Sequence, residues 1–585
     1  MLSHQEWVER TLKILTFILM AASLICIIYE HGFYLSEMDE RFVTAIVTTT
    51  FVFYILKFVT RCFFAENISK YLTNNKLEII SIIIIILSYF ITGIREHQMT
   101  GIGYVQMCHR HVLLFHALYF IILFIEIAKV STIFKKTNLS PPMLMLFSFL
   151  LLISLGTILL LLPKMTTHGI SFIDALFTAT SASCVTGLTV VETGSTFTQN
   201  GHIILMLLVQ MGGMSILSFA TFFISFLSHS YTGLRYQYLV KDMLSTDKVA
   251  DSFSFLREIV LTIFIIEAGG VVMLYMYWKT TGLFATDSET LFYAVFHAIS
   301  AFNNAGFSLW NENLMNSAIV NSYFPQVILM ILVFLGSIGF VVLRDFFDPK
   351  VIRERKKKRW KTLTPGTQIA LITTFIIIIF GTILFFALEY NNTLAHRGTV
   401  FDKLFSSLTQ VVLGRTAGFN IVNVEQISLP MLVLFIMIIF IGASPGSTGG
   451  GIKTTTAFVI VKSIFATIKG KNKIEFHKKT IPFQIVDKAY SIVVMSFVLI
   501  FISIVVLAIF EPDVPFKNIL FESASAFTTC GMSTGCISDF SIIGKAILTF
   551  NMYIGRIGTL TFAYALSKRT KETRHEYPET YFMVG

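Results

Sequence analysis

Charge is what this sequence has least of: Asp, Glu, Lys and Arg together make up 14% of its 585 residues, against 54% hydrophobic. With a mean hydropathy of +0.73, that balance excludes an ordinary soluble domain and leaves a polytopic membrane protein. Cysteine is sparse. The six cysteines (Cys26, Cys62, Cys108, Cys184, Cys530, Cys536) form no CxxC pair and no metal-ligand spacing, so they read as small buried residues in or near apolar segments. No Walker sequence and no GxGxxG after a strand is present, so the chain itself is expected to bind no ATP or NAD. A membrane-embedded enzyme would need an intramembrane nucleophile and base, or paired catalytic carboxylates or histidines, and no such set stands out. The start, MLSHQEWVERTLK, lacks the basic region and cleavage site of a signal peptide, so the first apolar span is expected to stay in the membrane. The net charge of +10 does not argue for nucleic acid, because the basic residues cluster between apolar spans as cytoplasmic loops do.

Long apolar runs dominate what is present. Four come first, roughly Leu12 to Tyr29, Phe42 to Phe64, Leu77 to Ile94 and Val112 to Val130, each long enough to cross a hydrocarbon core of about 30 Å. They form a module of their own, residues 1–138. Lys57, Arg61, Lys70 and Lys76 flank its second connection and Lys129, Lys135 and Lys136 follow its fourth span, which puts those ends and the amino terminus in the cytoplasm. The stretch LKFVTRCFFAENISKYLTNNKLEIISIIIIIL loosely resembles the second-to-third helix region of a voltage-sensor module. A working sensor needs regularly spaced Arg or Lys in its fourth helix, and none lies between His111 and Lys129, so the module reads as a structural four-helix bundle.

From Pro141 a pattern repeats four times: a long apolar span, a half-length piece, a glycine, another long span. The short motifs are FTATSASCVTGL ending near Gly187, FHAISAFNNAGF near Gly306, LTQVVLGRTAGF near Gly418 and FESASAFTTCGM near Gly531; Ser181-Ala182, Ser300-Ala301 and Ser525-Ala526 precede three of the glycines by the same spacing. The divisions are 139–235, 236–362, 363–480 and 481–569, followed by a cytoplasmic tail at 570–585. A half-length piece of about nine to twelve residues reaches only about 14 to 18 Å as a helix, so it must enter and return on one side. Non-helical backbone at membrane depth requires protein or water around it. The predicted fold is therefore an all-α polytopic membrane protein in which four helix, pore loop, helix repeats form a pseudo-fourfold cation pore after four extra spans. Basic residues between the second and third units (Arg344, Lys350, Arg353, Arg355 to Lys358, Arg359, Lys361) and between the third and fourth (Lys469, Lys471, Lys473, Lys478, Lys479) put the unit junctions inside and the glycines toward the outside.

A ring of backbone carbonyls can replace the hydration shell of an alkali cation without fixed charge that would trap it. Glycine suits such a ring because it turns the carbonyl inward and leaves no side chain in the path. The expected filter is Val185, Thr186 and Gly187; Asn304, Ala305 and Gly306; Thr416, Ala417 and Gly418; and Thr529, Cys530 and Gly531. The carboxyl ends of the four half-helices, with their negative dipoles, would favour a cation at the centre. Measured from Phe405, Gly418 comes three residues late, so the third half-helix is expected to carry nearly an extra turn.

The motifs TGLT, NNAGF, GRTAGFN and TTCGM, the repeat itself, and GASPGSTGGGIKTTT at Gly442 to Thr456 together resemble the Trk/Ktr/HKT superfamily of potassium and sodium uptake proteins, nearest the bacterial Trk-type membrane subunit. The resemblance runs from Pro141 to Ser567 and leaves out the four leading spans. It implies potassium as substrate, a homodimer in the cytoplasmic (inner) membrane, and a cytosolic ring of nucleotide-binding regulatory subunits through which NAD or ATP/ADP would act. It also implies that Gly442, Ala443, Ser444, Pro445, Gly446, Ser447, Thr448, Gly449, Gly450 and Gly451 form an intramembrane gate, that Lys453 follows it, and that Arg556 is an electrostatic barrier beneath the filter. Glycine and proline break any helix there, and the freed backbone needs a wet or protein-lined site. A salt bridge for Arg556 and an acidic or phosphate partner for Lys453 stay open. Glu267 reads as a structural polar contact, His297 as a packed polar residue, and Trp278 and Trp310 as interfacial anchors. A sodium or weakly selective pathway is the alternative within transport. In HKT relatives serine at the first filter position goes with sodium, and Gly187 stands there. Replacing Gly187 by Ser is expected to raise sodium permeability relative to potassium; an unchanged ratio in flux assays would count against the filter assignment.

Overall fold

Six helices among the described residues are long and apolar enough to cross a membrane, seven if one bent pair counts as a span. The computed structural model describes residues 4–63, 79, 82–83, 141–214, 252–347, 349–357 and 363–567 except 472 and 478. The third and fourth leading spans, the continuation of the first repeat beyond Met214, Cys108 and the tail lie outside the described residues. The most apolar crossing helix, Phe483–Phe510, has a mean hydropathy of 3.3 over its most apolar stretch, yet only 17% of that stretch is buried. Apolar surface turned outward is the reverse of a soluble core and is what contact with lipid tails permits.

In the leading module α1 (His4–Gly32) packs on α2 (Glu37–Phe63). Their seam contains Met20, Ile27, Val43, Val47, Phe51 and Tyr54, and a buried hydroxyl pair, Ser23 and Thr50, bridges the helices at 2.6 Å. The first repeat comprises α3 (Pro141–Leu160), the half-helix α4 (Phe172–Ser183) and α5 (Gln199–Met214). The second has α6 (Ser252–Thr281), half-helix α7 (Asp287–Phe302) and α8 (Tyr323–Ser337), then α9 (Phe340–Phe347) and the basic α10 (Pro349–Lys357). The third has α11 (Pro365–Glu389), half-helix α12 (Val400–Thr416), then α13 (Leu429–Phe440) and α14 (Thr454–Ile468) on either side of the glycine-rich run. A two-stranded hairpin, β1 (Ile474–Phe476) and β2 (Lys479–Ile481), leads to the fourth repeat: α15 (Phe483–Phe510), half-helix α16 (Phe516–Thr528), α17 (Ile542–Ile557) and α18 (Thr559–Leu566).

Each half-helix packs on the closing helix of the repeat before it: α7 on α5, α12 on α8, α16 on α13, and α4 on α17. The last pairing joins the ends of the chain into a ring. Lys545 of α17 meets Asp174 of α4 at 2.8 Å, and the Tyr553 hydroxyl donates to the Leu146 carbonyl at 2.8 Å. Within a repeat, the closing helix presses a glycine against the last carbonyls of its own half-helix. A Cβ on Gly212 would strike the Ser183 oxygen, one on Gly336 the Phe302 oxygen, and one on Gly555 the Phe527 oxygen.

Two spans expected to run unbroken do not. The chain from 327 to 343 bends by 106° between α8 and α9, at Gly339 with φ +91°, and that from 542 to 565 breaks at Gly558 with φ +92°. A single glycine inside an apolar run carries no periodicity signal; the bends follow because left-handed backbone ends a helix.

The buttressing glycines make a direct test. Gly336→Ala inserts a methyl against backbone and is expected to cost about 1 to 3 kcal/mol, the usual penalty of overpacking. Gly269→Ala, in a helix with nothing within 4 Å of the new carbon, should not lower stability. Thermal melting of the purified protein in detergent checks the pair, and equal midpoints would contradict the packing described.

Candidate functional site

The four half-helices start on side-chain caps where the sequence supplies them. Ser171 accepts from the Asp174 amide, Thr286 from Glu289, and Thr399 with Asp402 makes a reciprocal capping box; Pro515 holds the cap position of the fourth. Their other ends converge. Gly187, Gly306, Gly418 and Gly531 all have positive φ (+91°, +71°, +72° and +91°), and each lies against the loop next to it. A Cβ on Gly187 would strike the Ala305 carbonyl, on Gly306 that of Ala417, on Gly418 that of Cys530, and on Gly531 that of Thr186. The series closes on itself in chain order. The four glycines thus form one closed series with the carbonyls of Thr186, Ala305, Ala417 and Cys530, and a side chain at any of them would meet backbone.

Two residues before the glycine, Val185, Asn304 and Thr529 take left-handed backbone (φ +57°, +60° and +50°). Asn tolerates this; for β-branched Val and Thr it is strain of about 1 to 3 kcal/mol each, held by the surroundings. The shared serines supply part of that hold. The Ser181, Ser300 and Ser525 carbonyls accept from the amides of Thr186, Ala305 and Cys530 at 2.8, 2.8 and 3.0 Å. Their hydroxyls span the turn: Ser181 Oγ accepts from the Gly187 amide at 3.1 Å, Ser300 Oγ donates to the Phe307 carbonyl at 2.8 Å, and Ser525 Oγ to the Met532 carbonyl at 2.6 Å. The serines were visible in the sequence as a repeat, but their task was not.

The third loop departs from the others as its divergence suggested. Val412 stands where the serine would be, and the helix runs on to Thr416, with Ala417 capping it at φ −112°. Gln410 substitutes: its Oε1 accepts from the Ile421 amide at 2.9 Å. The extra length is not peculiar to this loop, because α7 spans 16 residues against 17 for α12, 12 for α4 and 13 for α16. The comparison anchored on Phe405 missed it because α7 is lengthened before Phe296, outside the matched motif.

The run from Gly442 to Gly451 lies directly under these helix ends. It is pinned at Ser444, whose amide donates to the Ser337 carbonyl at 2.9 Å, and at Gly446, whose carbonyl accepts from Phe340 at 2.9 Å. Gly449 faces the Thr416 side chain, Gly450 the Thr529 side chain and Gly451 the Thr528 carbonyl. Arg556 donates to the carbonyls of Thr448 and Gly212 and to Gly213 at 3.2 Å. Its hydrogen bonds among the described residues go to backbone oxygens and its guanidinium lies 5.9 Å from the Phe149 ring centre, so the salt bridge left open in the sequence is not among these contacts, and its charge sits between the loop and the first repeat. Lys453 Nζ donates to the Gly449 carbonyl at 2.8 Å, a partner within the loop rather than an acid or phosphate.

Glu267 is a structural polar contact, as read. Its carboxylate accepts from Gln210 at 3.1 Å and from Asn303 at 3.0 Å, tying α6 and α5 to the cap of α7. His297 is also packed: Nδ1 is 2.8 Å from the Tyr293 carbonyl and Nε2 3.2 Å from Ser308 Oγ. Trp278 corrects the expectation of an interfacial anchor, being 1% exposed with its ring edge-on to His297 and Trp310. Burial there depends on a partner 19 residues away in sequence, which length and flanking charge cannot reveal. Among the cysteines Cys184 and Cys530 are buried and Cys26, Cys62 and Cys536 half-buried; no group of three metal-ligating side chains occurs among the described residues.

Four half-length helices meeting end-on around a ring of glycines, inside a shell of lipid-facing helices, define a polytopic membrane transport protein. Residues 109–575 match the TrkH family, described as cation transport protein, and the chain belongs to that family. It is 36% identical over 460 residues to the Ktr system potassium uptake protein B of Bacillus subtilis, covering 77% of this chain and 98% of that one. It is 32% identical over 465 residues to the potassium/sodium uptake protein NtpJ of Enterococcus hirae, covering 78% and 100%. The crystal structure of the potassium transporter TrkH from Vibrio parahaemolyticus shares the fold, with a TM-score of 0.58 at 17% identity over 85% of this chain and 98% of that one. These relatives are named as transporters, not enzymes.

The serine ties give a prediction. Ser525→Ala leaves the buried Met532 carbonyl without its hydroxyl donor, which is expected to cost about 1 to 3 kcal/mol. Ser538→Ala removes only an exposed contact and should cost under about 0.5 kcal/mol. Paired melting measurements decide, and equal losses would mean that Ser525 does not brace the loop.

Proposed function

We propose that the chain conducts potassium into the cell across the cytoplasmic membrane, selecting it in the four-loop carbonyl filter and admitting it past the loop at 442–456. The observation that carries this reading is the closed circuit in which each filter glycine abuts the carbonyl of the next loop. A cation entering from outside exchanges hydration water for the carbonyls of Val185 to Gly187, Asn304 to Gly306, Thr416 to Gly418 and Thr529 to Gly531. No carboxylate lies in that set, so the ion is held by dipoles and can leave. The carboxyl ends of α4, α7, α12 and α16 add negative potential at the same point.

Below the filter, Gly442 to Gly451 with Lys453 obstructs the path, and Arg556 repels a cation that arrives while the loop is in place. Conduction requires that the loop withdraw. Potassium is favoured by Gly187 at the first filter position and by the names of the Bacillus subtilis and Vibrio alginolyticus relatives, both potassium uptake proteins. The Enterococcus relative, named for potassium and sodium, supports the second reading of a less selective cation path. The lysines and arginines of the basic segments, including α10 and the hairpin β1–β2, support a cytoplasmic position for them and, by the count of spans, for the amino terminus. There a separate ring of nucleotide-binding subunits would dock, binding NAD or ATP/ADP that this chain does not bind, and two copies of the chain would pair.

The test is growth of a potassium-import-deficient cell at low potassium. The intact protein is expected to restore growth, and Gly306→Leu or Gly531→Leu to abolish it while the protein still reaches the membrane. Restoration by the leucine variants would sink the filter assignment; rescue of sodium but not potassium uptake would favour the second reading.

A further inference from the structure

Asn304 does two things at once. Its left-handed backbone (φ +60°) forms part of the second filter loop, while its side chain leaves the ring and runs toward the segment beneath. Nδ2 donates to Thr448 Oγ1 at 2.7 Å, and Oδ1 accepts from Thr416 Oγ1 at 3.0 Å. One fully buried amide therefore joins the second loop, the third loop and the glycine-rich segment. The matching positions do not: Val185 has no polar side chain, and Thr529 Oγ1 is buried without a hydrogen-bond partner.

Thr448 is the corresponding node on the segment. Its amide donates to the Gly336 carbonyl at 3.3 Å, its hydroxyl lies 3.2 Å from that oxygen and 3.3 Å from Phe302 O, and its carbonyl accepts from Arg556. The segment cannot leave the space under the filter without separating Thr448 from Asn304. Separation leaves the buried Nδ2 only its long 3.4 Å bond to the Phe302 carbonyl, and the amide then turns toward a better partner and takes the Thr416 hydroxyl with it.

We infer that the Asn304 side chain is a latch between filter and gate, so that opening the gate also alters the inner layer of the filter and one set of bonds governs both flow and selectivity. Asn304 acts here as a positioning residue. The inference rests on the reading of Gly442 to Gly451 as a gate and of the glycine ring as a filter.

The test uses the full-length protein in potassium-loaded liposomes, with flux and the potassium-to-sodium permeability ratio measured for Thr448→Val, Asn304→Gly and the double variant. Glycine keeps the left-handed backbone while removing the amide. Each single change is expected to raise flux roughly 3- to 10-fold, the factor that the net worth of one buried hydrogen bond converts to, and to lower the permeability ratio. The double variant should do no more than either single one. Thr448→Ser, which keeps the hydroxyl, should bring both readings back toward the native values, and it keeps the test decisive if a larger change fails to fold. Additive effects, or higher flux at an unaltered ion ratio, would overturn the latch. If Gly531→Leu blocks uptake while Thr448→Val leaves flux and ratio unchanged, the latch is wrong and the filter stands. If Gly531→Leu conducts normally, the filter reading falls and this inference with it.

Discussion

Everything in the pore region depends on backbone meeting backbone. Glycine Cα atoms at 187, 306, 418 and 531 lie against the carbonyls of the adjacent loops, and glycines 212, 336 and 555 lie against the carbonyl ends of the half-helices. A methyl at any of them would collide with main chain, which cannot move aside as a side-chain tip can. Close approach of this kind brings the carbonyl oxygens of four loops together, the arrangement on which the proposed filter rests. The strained residues Val185 and Thr529 persist for the same reason, because the serine bonds and packed glycines around them leave no room to relax.

Polar groups deep in the molecule follow from that arrangement. Half-helices that stop midway expose their last carbonyls and need donors inside the protein. The amides of Thr186, Ala305 and Cys530 meet part of the need by donating to the Ser181, Ser300 and Ser525 carbonyls, Arg556 donates nearby to the carbonyls of Gly212, Gly213 and Thr448, and the Glu267, Gln210 and Asn303 cluster steadies the cap of α7. The outer ends are fastened differently, by an ion pair between Lys545 and Asp174 that closes the ring. Around this polar centre the crossing helices carry their apolar surface outward, and so the most hydrophobic element, α15, is also among the least buried.

Much of this could be read in the sequence because it rests on glycine. A backbone contact that no side chain tolerates leaves its mark on residue identity, and the glycines at 187, 306, 418 and 531 and the run from Gly442 to Gly451 stood out without coordinates. The buttressing glycines were harder: Gly212, Gly336 and Gly555 stand singly or in pairs within apolar runs, and only their similar distance beyond the filter glycines sets them apart. Gly339 and Gly558 gave no warning of a break for the same reason. Trp278 could not be placed at all without His297 beside it. The Ser-Ala repeat was visible, but its meaning lay in bonds across a turn whose shape the sequence does not state.

The third repeat brings these threads together. It lacks the serine, lacks the left-handed residue before its glycine, and has no continuous closing helix to press a glycine on its half-helix. Gly449 and Gly450 of the broken segment stand there instead, against Thr416 and Thr529. In the other repeats Gly212, Gly336 and Gly555 lie in helices packed on the half-helix ends, and withdrawing one of those helices would unpack a core. In the third, an irregular segment stands there, held by hydrogen bonds to the Ser337 and Gly336 carbonyls and from the Phe340 amide and Arg556. Each of the backbone bonds is worth only about 0.5 to 1.5 kcal/mol once water can take its place, and the charged Arg556 bond about 1.5 to 3 kcal/mol. On the function we propose, a pore that is sealed and yet opens would need one wall held by exchangeable bonds, and the third repeat is where the fold carries such bonds.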